Sequence, residues 1–281
     1  MPALNFRIVN VFTDQGAALT GNPLCVFEHG ESLDSASMLA LARQFNLSET
    51  TFLLPSSVAN ARVRIFTPRY EMPFAGHPTL GSAFVCRALG LGGAALTLET
   101  QAGVIPVQAD GTRWTFQAQA PRWREVDAPK SLLAAMLGLA ESDIGERPLW
   151  VKAGKEQLIV PLTSERAVRA ARPNAALGGE VVSEDGHRMI YVFTELDARR
   201  CLSRFFFPLG AAMLEDPATG SATANLGGWC IAMQRPTPLS LEIAQGEYTG
   251  RPSALHLHID AERRIFVAGD VIELARGVVD F

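Results

Sequence analysis

The sequence predicts an α/β protein built from two domains, and three observations carry that prediction. Short runs of alternating apolar and polar residues recur along the whole chain, separated by a few segments with helical spacing. A polar stretch with two prolines, PRWREVDAPK at residues 121–130, interrupts these runs near the middle and reads as the link between domains. A glycine turn leading into a helix of small and apolar residues occurs once in each half, as GHPTLGSA at residues 76–83 and ATGSA at 218–222. The two turns lie about 140 residues apart, close to half the chain, which hints at an internal duplication. The expected domains are residues 1–122 and 128–281.

Composition narrows the classes. A chain of 281 residues suits one large domain or two ordinary ones. With 48% hydrophobic and 19% charged residues it has material for packed cores and too little charge for a disordered chain. A net charge of -4 implies no strongly basic face, which argues against a nucleic-acid partner. The N-terminus, MPALNFRIVNVFTDQG, lacks the basic-then-apolar pattern of a signal peptide. No apolar run approaches the roughly 20 residues that cross a bilayer. A soluble, cytoplasmic protein with no membrane partner is expected. Cys25, Cys86, Cys201 and Cys230 are far apart, with no C-x-x-C pair. They read as reduced, buried thiols rather than a zinc site or disulfide framework.

Taken in order, Phe6–Phe12 and Leu24–Phe27 read as strands flanking a turn-rich loop with Gly16 and Gly21-Asn22-Pro23. Asp34 caps a helix whose Met38, Leu41, Ala42 and Phe45 share one face. Thr50–Leu54 and the alternating segment around Val63 and Ile65 are strands. From about Pro78 the spacing of Leu80, Phe84 and Ala88 is helical, with Gly90 as the stop. Strands follow at Leu96–Leu98, Val104–Val107 and Trp114–Ala118. The second half offers a short helix at Ser131–Leu137 and strands at Leu149–Lys152, Gln157–Val160 and Arg188–Thr194. A small-residue helix runs from Ala222 to about Met233. Strands near Leu239–Ile243, Ala254–Ile259, Arg264–Val267 and Val271–Leu274 close the chain. Neither a dinucleotide fingerprint nor a phosphate-binding P-loop occurs, so no nucleotide cofactor is indicated.

Three segments concentrate polar residues beyond what patterning requires. In Asn46-Leu47-Ser48-Glu49-Thr50, Glu49 reads either as a solvated loop carboxylate or, beside an apolar strand, as a partly buried acid/base. In Pro73-Phe74-Ala75-Gly76-His77-Pro78, His77 is either a capping residue or part of a helix start where Gly76 lets a ligand approach the backbone. In Glu215–Ser221, Asp216 and Thr219 are either turn residues or part of a second helix start of the same design. Two such starts facing each other across a cleft would hold a small carboxylate, each worth a few tenths to about 2 kcal/mol.

The segments NLSET at 46–50, PFAGHPT at 73–79 and EDPATGSA at 215–222 together resemble the phenazine-biosynthesis PhzF-like family. The stretch from VFTD to GNPLCVF at 11–27 and QGEYTGRPS at 245–253 are similar to that family as well. The resemblance implies a diaminopimelate-epimerase-like fold: two pseudo-symmetric domains, each a mixed, barrel-like sheet around a central helix. It implies an active site between the domains, no cofactor, no metal and a homodimer. By the same resemblance, Glu49 corresponds to a proton-shuttling glutamate, and His77, Asp216 and Ser221 to further polar site residues. Gly76 and Gly220 correspond to glycines whose backbones hold the substrate.

Racemases of the same superfamily use two thiols in glycine turns. Here Ala75 stands at the first thiol position and Pro217 or Ala218 at the second, and the four cysteines fall elsewhere. The expected activity is therefore an isomerisation, in which one carboxyl group moves a proton between carbons of a small carboxylate substrate. An epimerase with carboxylates in place of thiols, or a non-catalytic small-ligand binding protein with the same cleft, are the alternatives.

Overall fold

The computed structural model describes residues 3–280. The chain forms two compact units, Met1–Gln117 with Ala268–Phe281, and Ala118–Val267. The first contains β1 (Ala3–Val11), β2 (Asn22–Phe27), α1 (Ser35–Phe45), β3 (Glu49–Leu54), β4 (Ala61–Phe66), β5 (Glu71–Met72), α2 (Gly76–Ala88), β6 (Ala95–Thr100), β7 (Gly103–Asp110) and β8 (Arg113–Gln117). Then follow β9 (Arg122–Glu125), α3 (Lys130–Leu137), β10 (Leu149–Lys152), β11 (Glu156–Pro161), α4 (Glu165–Ala170), β12 (Ile190–Glu195), β13 (Arg200–Leu209), β14 (Ala212–Asp216), α5 (Gly220–Ala232), β15 (Leu239–Gln245), β16 (Ser253–Ile259) and β17 (Ile265–Asp280).

In the first unit β1 pairs antiparallel with β2, β2 parallel with β3, β3 antiparallel with β4, and β4 parallel with β6. β6, β7 and β8 continue as antiparallel neighbours. β17 pairs with both β8 and β1, so eight strands close into a ring. Closure gives each of these eight strands a neighbour on both sides. α2 packs against β1, β2, β3, β4, β6 and β8 and is almost wholly buried. Such a helix needs small residues where strands approach. A Cβ on Gly81 would lie 2.6 Å from Leu24 Cδ2 and 3.0 Å from Val9 Cγ2. α1 is amphipathic instead. Asp34 caps it by accepting from the Ser37 N–H at 2.8 Å, and Met38, Leu41 and Ala42 pack with Phe27, Phe52 and Phe66.

The second unit repeats the pairing order. β10–β11 antiparallel, β11–β12 parallel, β12–β13 antiparallel, β13–β15 parallel and β15–β16 antiparallel match β1–β2, β2–β3, β3–β4, β4–β6 and β6–β7 one for one. α5 follows β14 as α2 follows β5, each has 13 residues, and each is buried along nearly its full length. The echo between the two glycine turns is thus a repeat of topology. Each unit is a mixed, barrel-like sheet around one central helix, as the family resemblance implies. A second core lies under α3 and α4, where Leu133, Leu137, Val160, Val168, Val192 and Phe206 cluster.

Several elements differ from the sequence expectation. The stretch 121–130 is not a plain linker, because β9 pairs antiparallel with β10, Trp123 opposite Val151. Its charges suit that place: Arg124 donates to both carboxylate oxygens of buried Glu156 and stacks over Trp150 at 5.0 Å. The last strand is one element of 16 residues rather than two short ones. From Ala268 onward it belongs to the first unit, not to a domain running from 128 to 281, because it fills the gap between β8 and β1. β13 and α4 lie in stretches without a clear period and have no counterpart in the sequence reading. α2 starts at Gly76 and α5 at Gly220, two residues ahead of expectation in each case. Pro78 is tolerated there because the first-turn N–H groups have no helical partner to lose. No helix among the described residues is long and apolar enough to cross a membrane.

Candidate active site

In the first unit, the parallel register of β2 and β3 sets Glu49 beside Leu24, at the very start of β3. α2 starts after Ala75, whose methyl side chain offers no capping hydrogen bond. His77 occupies the first turn and is 6% exposed, while the Glu49 side chain is 16% exposed. Glu49 Oε2 stands 3.3 Å from His77 Nε2. The ring of His77 also bonds to the Pro23 carbonyl. Burial lowers the imidazole to about 3, and the Pro23 bond recovers only part of that shift. At neutral pH the pair therefore joins a carboxyl group to a neutral imidazole. Tyr70 lies within electrostatic reach: burial first, and the charge of Glu49 second, push its phenol up.

In the second unit, β14 ends at Asp216 and α5 begins at Gly220, with Thr219 as the residue before the helix. Threonine often caps a helix with its hydroxyl, yet this one makes no such bond. Its hydroxyl donates to Asp216 Oδ2 instead. Gln245, at the end of β15, donates from Nε2 to the Asp216 carbonyl at 2.9 Å and to Thr219 Oγ1 at 3.0 Å. Ser221, in the first turn of α5, accepts from Gln157 Nε2 at 3.0 Å. Gln157 is itself oriented by Asn225 Nδ2, which donates to its Oε1 at 2.8 Å.

Within the first unit, then, Glu49, Gly76 and His77 come together at the start of α2. Within the second, Asp216, Gly220 and Ser221 come together at the start of α5. Sequence reasoning missed Tyr70, Gln157, Asn225 and Gln245. A buried amide has no local pattern that announces it, and only QGEYTGRPS drew attention to Gln245, as part of a family match without a role. All four cysteines are buried. Burial raises the thiols of Cys86 and Cys230 to about 12, and those of Cys25 and Cys201 are raised as well, so none offers a thiolate near neutral pH. Among the described residues no group of three or more His, Cys, Asp or Glu side chains is placed to hold a metal ion.

Residues 9–277 match the family model described as phenazine biosynthesis-like protein. An uncharacterized isomerase of Pasteurella multocida is 39% identical over 276 residues, covering 97% of this chain and 92% of its own. The trans-2,3-dihydro-3-hydroxyanthranilate isomerase of Pseudomonas aeruginosa is 35% identical over 271 residues, covering 89% of this chain and 88% of its own. The crystal structure of a PhzF-family protein of Bacillus anthracis superposes with a TM-score of 0.87 at 26% identity, covering both chains completely.

Proposed function

The chain belongs to the phenazine biosynthesis-like protein family, and from that premise we propose that it is a cofactor-independent isomerase of a small carboxylate substrate, with Glu49 as its single acid/base. One observation carries the reading: the partly exposed Glu49 carboxyl stands 3.3 Å from a buried His77. A protonated histidine would hold Glu49 as a fixed anion. A neutral one leaves the carboxyl able to gain and lose a proton in turn, which is what a shuttle requires.

The reaction is a proton shift. The Glu49 carboxylate takes a proton from one carbon, and the electron pair left behind delocalises into the substrate's unsaturated system. The Glu49 carboxylic acid then returns the proton to a different carbon, and a double bond changes place. Glu49 ends as it began, so no cofactor is consumed. Gly76 and Gly220 present helix-start N–H groups to anionic oxygens of the substrate. Asp216 accepts hydrogen bonds from donor groups on the substrate, and the Ser221 hydroxyl binds beside it. The buried thiols support this reading over two-thiol racemisation. A cytoplasmic location and a homodimer belong to the same proposal, and a monomer in sedimentation velocity would remove the dimer from it.

The named relatives make trans-2,3-dihydro-3-hydroxyanthranilate the first compound to try. Glu49→Gln keeps the size of the side chain and removes its titratable group. Turnover should fall by roughly 10²–10⁴, the usual cost of losing a general acid/base. A variant with near-native turnover would take Glu49 out of the mechanism.

A further inference from the structure

Gln245 is 2% exposed, and both of its amide protons and its amide oxygen have partners. Its Oε1 accepts from the Thr219 backbone N–H at 3.4 Å, and its Nε2 donates to the Asp216 carbonyl at 2.9 Å. A backbone N–H only donates and a carbonyl only accepts, so these two contacts fix which end of the amide is which. The second Nε2 proton must then go to Thr219 Oγ1, 3.0 Å away. A hydroxyl has a single proton. With a lone pair occupied by Gln245, that proton is directed to Asp216 Oδ2.

The backbone beside Gln245 is fitted to the same turn. Gly246 has φ 83°, and a Cβ there would lie 2.2 Å from the Arg251 carbonyl oxygen and 2.5 Å from that of Pro217. Only glycine lets the segment after β15 press this closely on the turn that carries Asp216. Turned toward Asp216 and Gln245, the Thr219 hydroxyl makes no capping bond to α5.

We infer that Gln245 is a positioning residue for the reaction: through the Thr219 hydroxyl it aims and holds the Asp216 carboxylate while leaving the start of α5 uncapped. The inference rests on the reading of Asp216 as a substrate-binding carboxylate. Glutamate could not replace Gln245, because it lacks both N–H donors and would set a second negative charge beside Asp216.

The test has two arms, both on the full chain. The first needs no substrate. In nitrogen-labelled protein, both Nε2 protons of Gln245 should resist solvent exchange. Thr219→Val keeps the shape of the side chain, and it should release one of the two protons while the other stays on the Asp216 carbonyl. Fast exchange of both protons in the unsubstituted protein would overturn the inference, and so would unchanged protection in Thr219→Val.

The second arm follows turnover of trans-2,3-dihydro-3-hydroxyanthranilate. Gln245→Leu and Thr219→Val should each lower kcat/KM about tenfold or more, and the double variant should lose no more than the worse single one. Thr219→Ser, which restores the hydroxyl, should recover most of the activity. Additive losses, or equal activities of Thr219→Ser and Thr219→Val, would overturn the inference. The Thr219 pair decides this even where Gln245→Leu fails to fold. Full activity of Asp216→Asn would instead remove Asp216 from the proposed function, as absent turnover would remove the substrate, and the exchange arm would still decide the geometry.

Discussion

Burial of a neutral His77 makes the stability of the protein fall on mild acidification by a calculable amount. The imidazole drops from 6.5 to about 3 on folding. Between those values the unfolded chain binds a proton that the folded chain refuses, so stability is complete above pH 6.5 and is lost as pH falls. Each unit of pKa difference is worth about 1.4 kcal/mol, so the full loss, reached below pH 3, is about 5 kcal/mol. Going from pH 7 to pH 5 uses only part of that range and costs about 2 kcal/mol. The assay is urea unfolding at both pH values, for the unsubstituted protein and for His77→Gln, whose amide retains a donor for the Pro23 carbonyl. Carboxylates remote from position 77 cancel in the comparison, and the contribution of Glu49, 3.3 Å from His77, is separated by repeating the pair in a Glu49→Gln background. The unsubstituted protein should lose about 2 kcal/mol more than the variant over this interval. Equal losses would refute the reasoning, as would a His77 ring resonance that titrates near its ordinary value of 6.5.

Two further outcomes follow from packing. A thiol reagent such as dithiobisnitrobenzoate should find no reactive cysteine in the native protein and all four after unfolding, because each thiol is buried and protonated. Rapid inactivation prevented by substrate would revive a thiol mechanism. Gly81→Ala should destabilise the protein by about 1–3 kcal/mol, measured by urea unfolding, since its Cβ would meet Leu24, Val9 and Val11 at 2.6–3.1 Å. An unchanged midpoint would mean that α2 is packed less tightly than described.

The elements legible in the sequence are those that state their own environment. α1 carries a capping aspartate and a one-sided apolar stripe, so its start could be read from Asp34 and its buried face from Met38, Leu41 and Ala42. β4 alternates buried Val63 and Ile65 with less buried Arg62 and Arg64, and half-buried strands announce themselves in that way. β13 is buried on both sides for most of its length, and CLSRFFFPL consequently has no period to read. β9 is defined by its partners, since only the pairing with β10 and the contacts of Arg124 with Glu156 and Trp150 make RWRE a strand. The return of β17 to close the first ring is a pairing over nearly the whole chain, Ala3 opposite Asp280, and nothing local encodes it.

The site divides in the same manner. Glu49, His77 and Asp216 stand in short motifs whose residue types already suggest chemistry. The closeness of Glu49 and His77 comes from the register of β2 and β3 and the start of α2, which bring residues 28 positions apart to 3.3 Å. The amides that surround Asp216 and Ser221 in the second unit, Gln157, Asn225 and Gln245, come from three separate elements, and such residues are common enough in any sequence to pass unnoticed. Their meaning lies in the hydrogen bonds they make to Ser221, Thr219, Asp216 and each other, which only the folded structure brings together.

The central claim is that one carboxyl group carries the proton from one carbon to another. It is tested most directly by isotopic transfer in ordinary water, using trans-2,3-dihydro-3-hydroxyanthranilate deuterated at the carbon that loses its proton. A single shuttle returns the proton it took whenever return is faster than exchange with solvent. Early in the reaction, part of the deuterium should therefore appear at the receiving carbon of the product, and Glu49→Gln should lower turnover by roughly 10²–10⁴ and abolish transfer. Product carrying only solvent hydrogen from the first turnovers, formed at an undiminished rate by Glu49→Gln, would contradict the account.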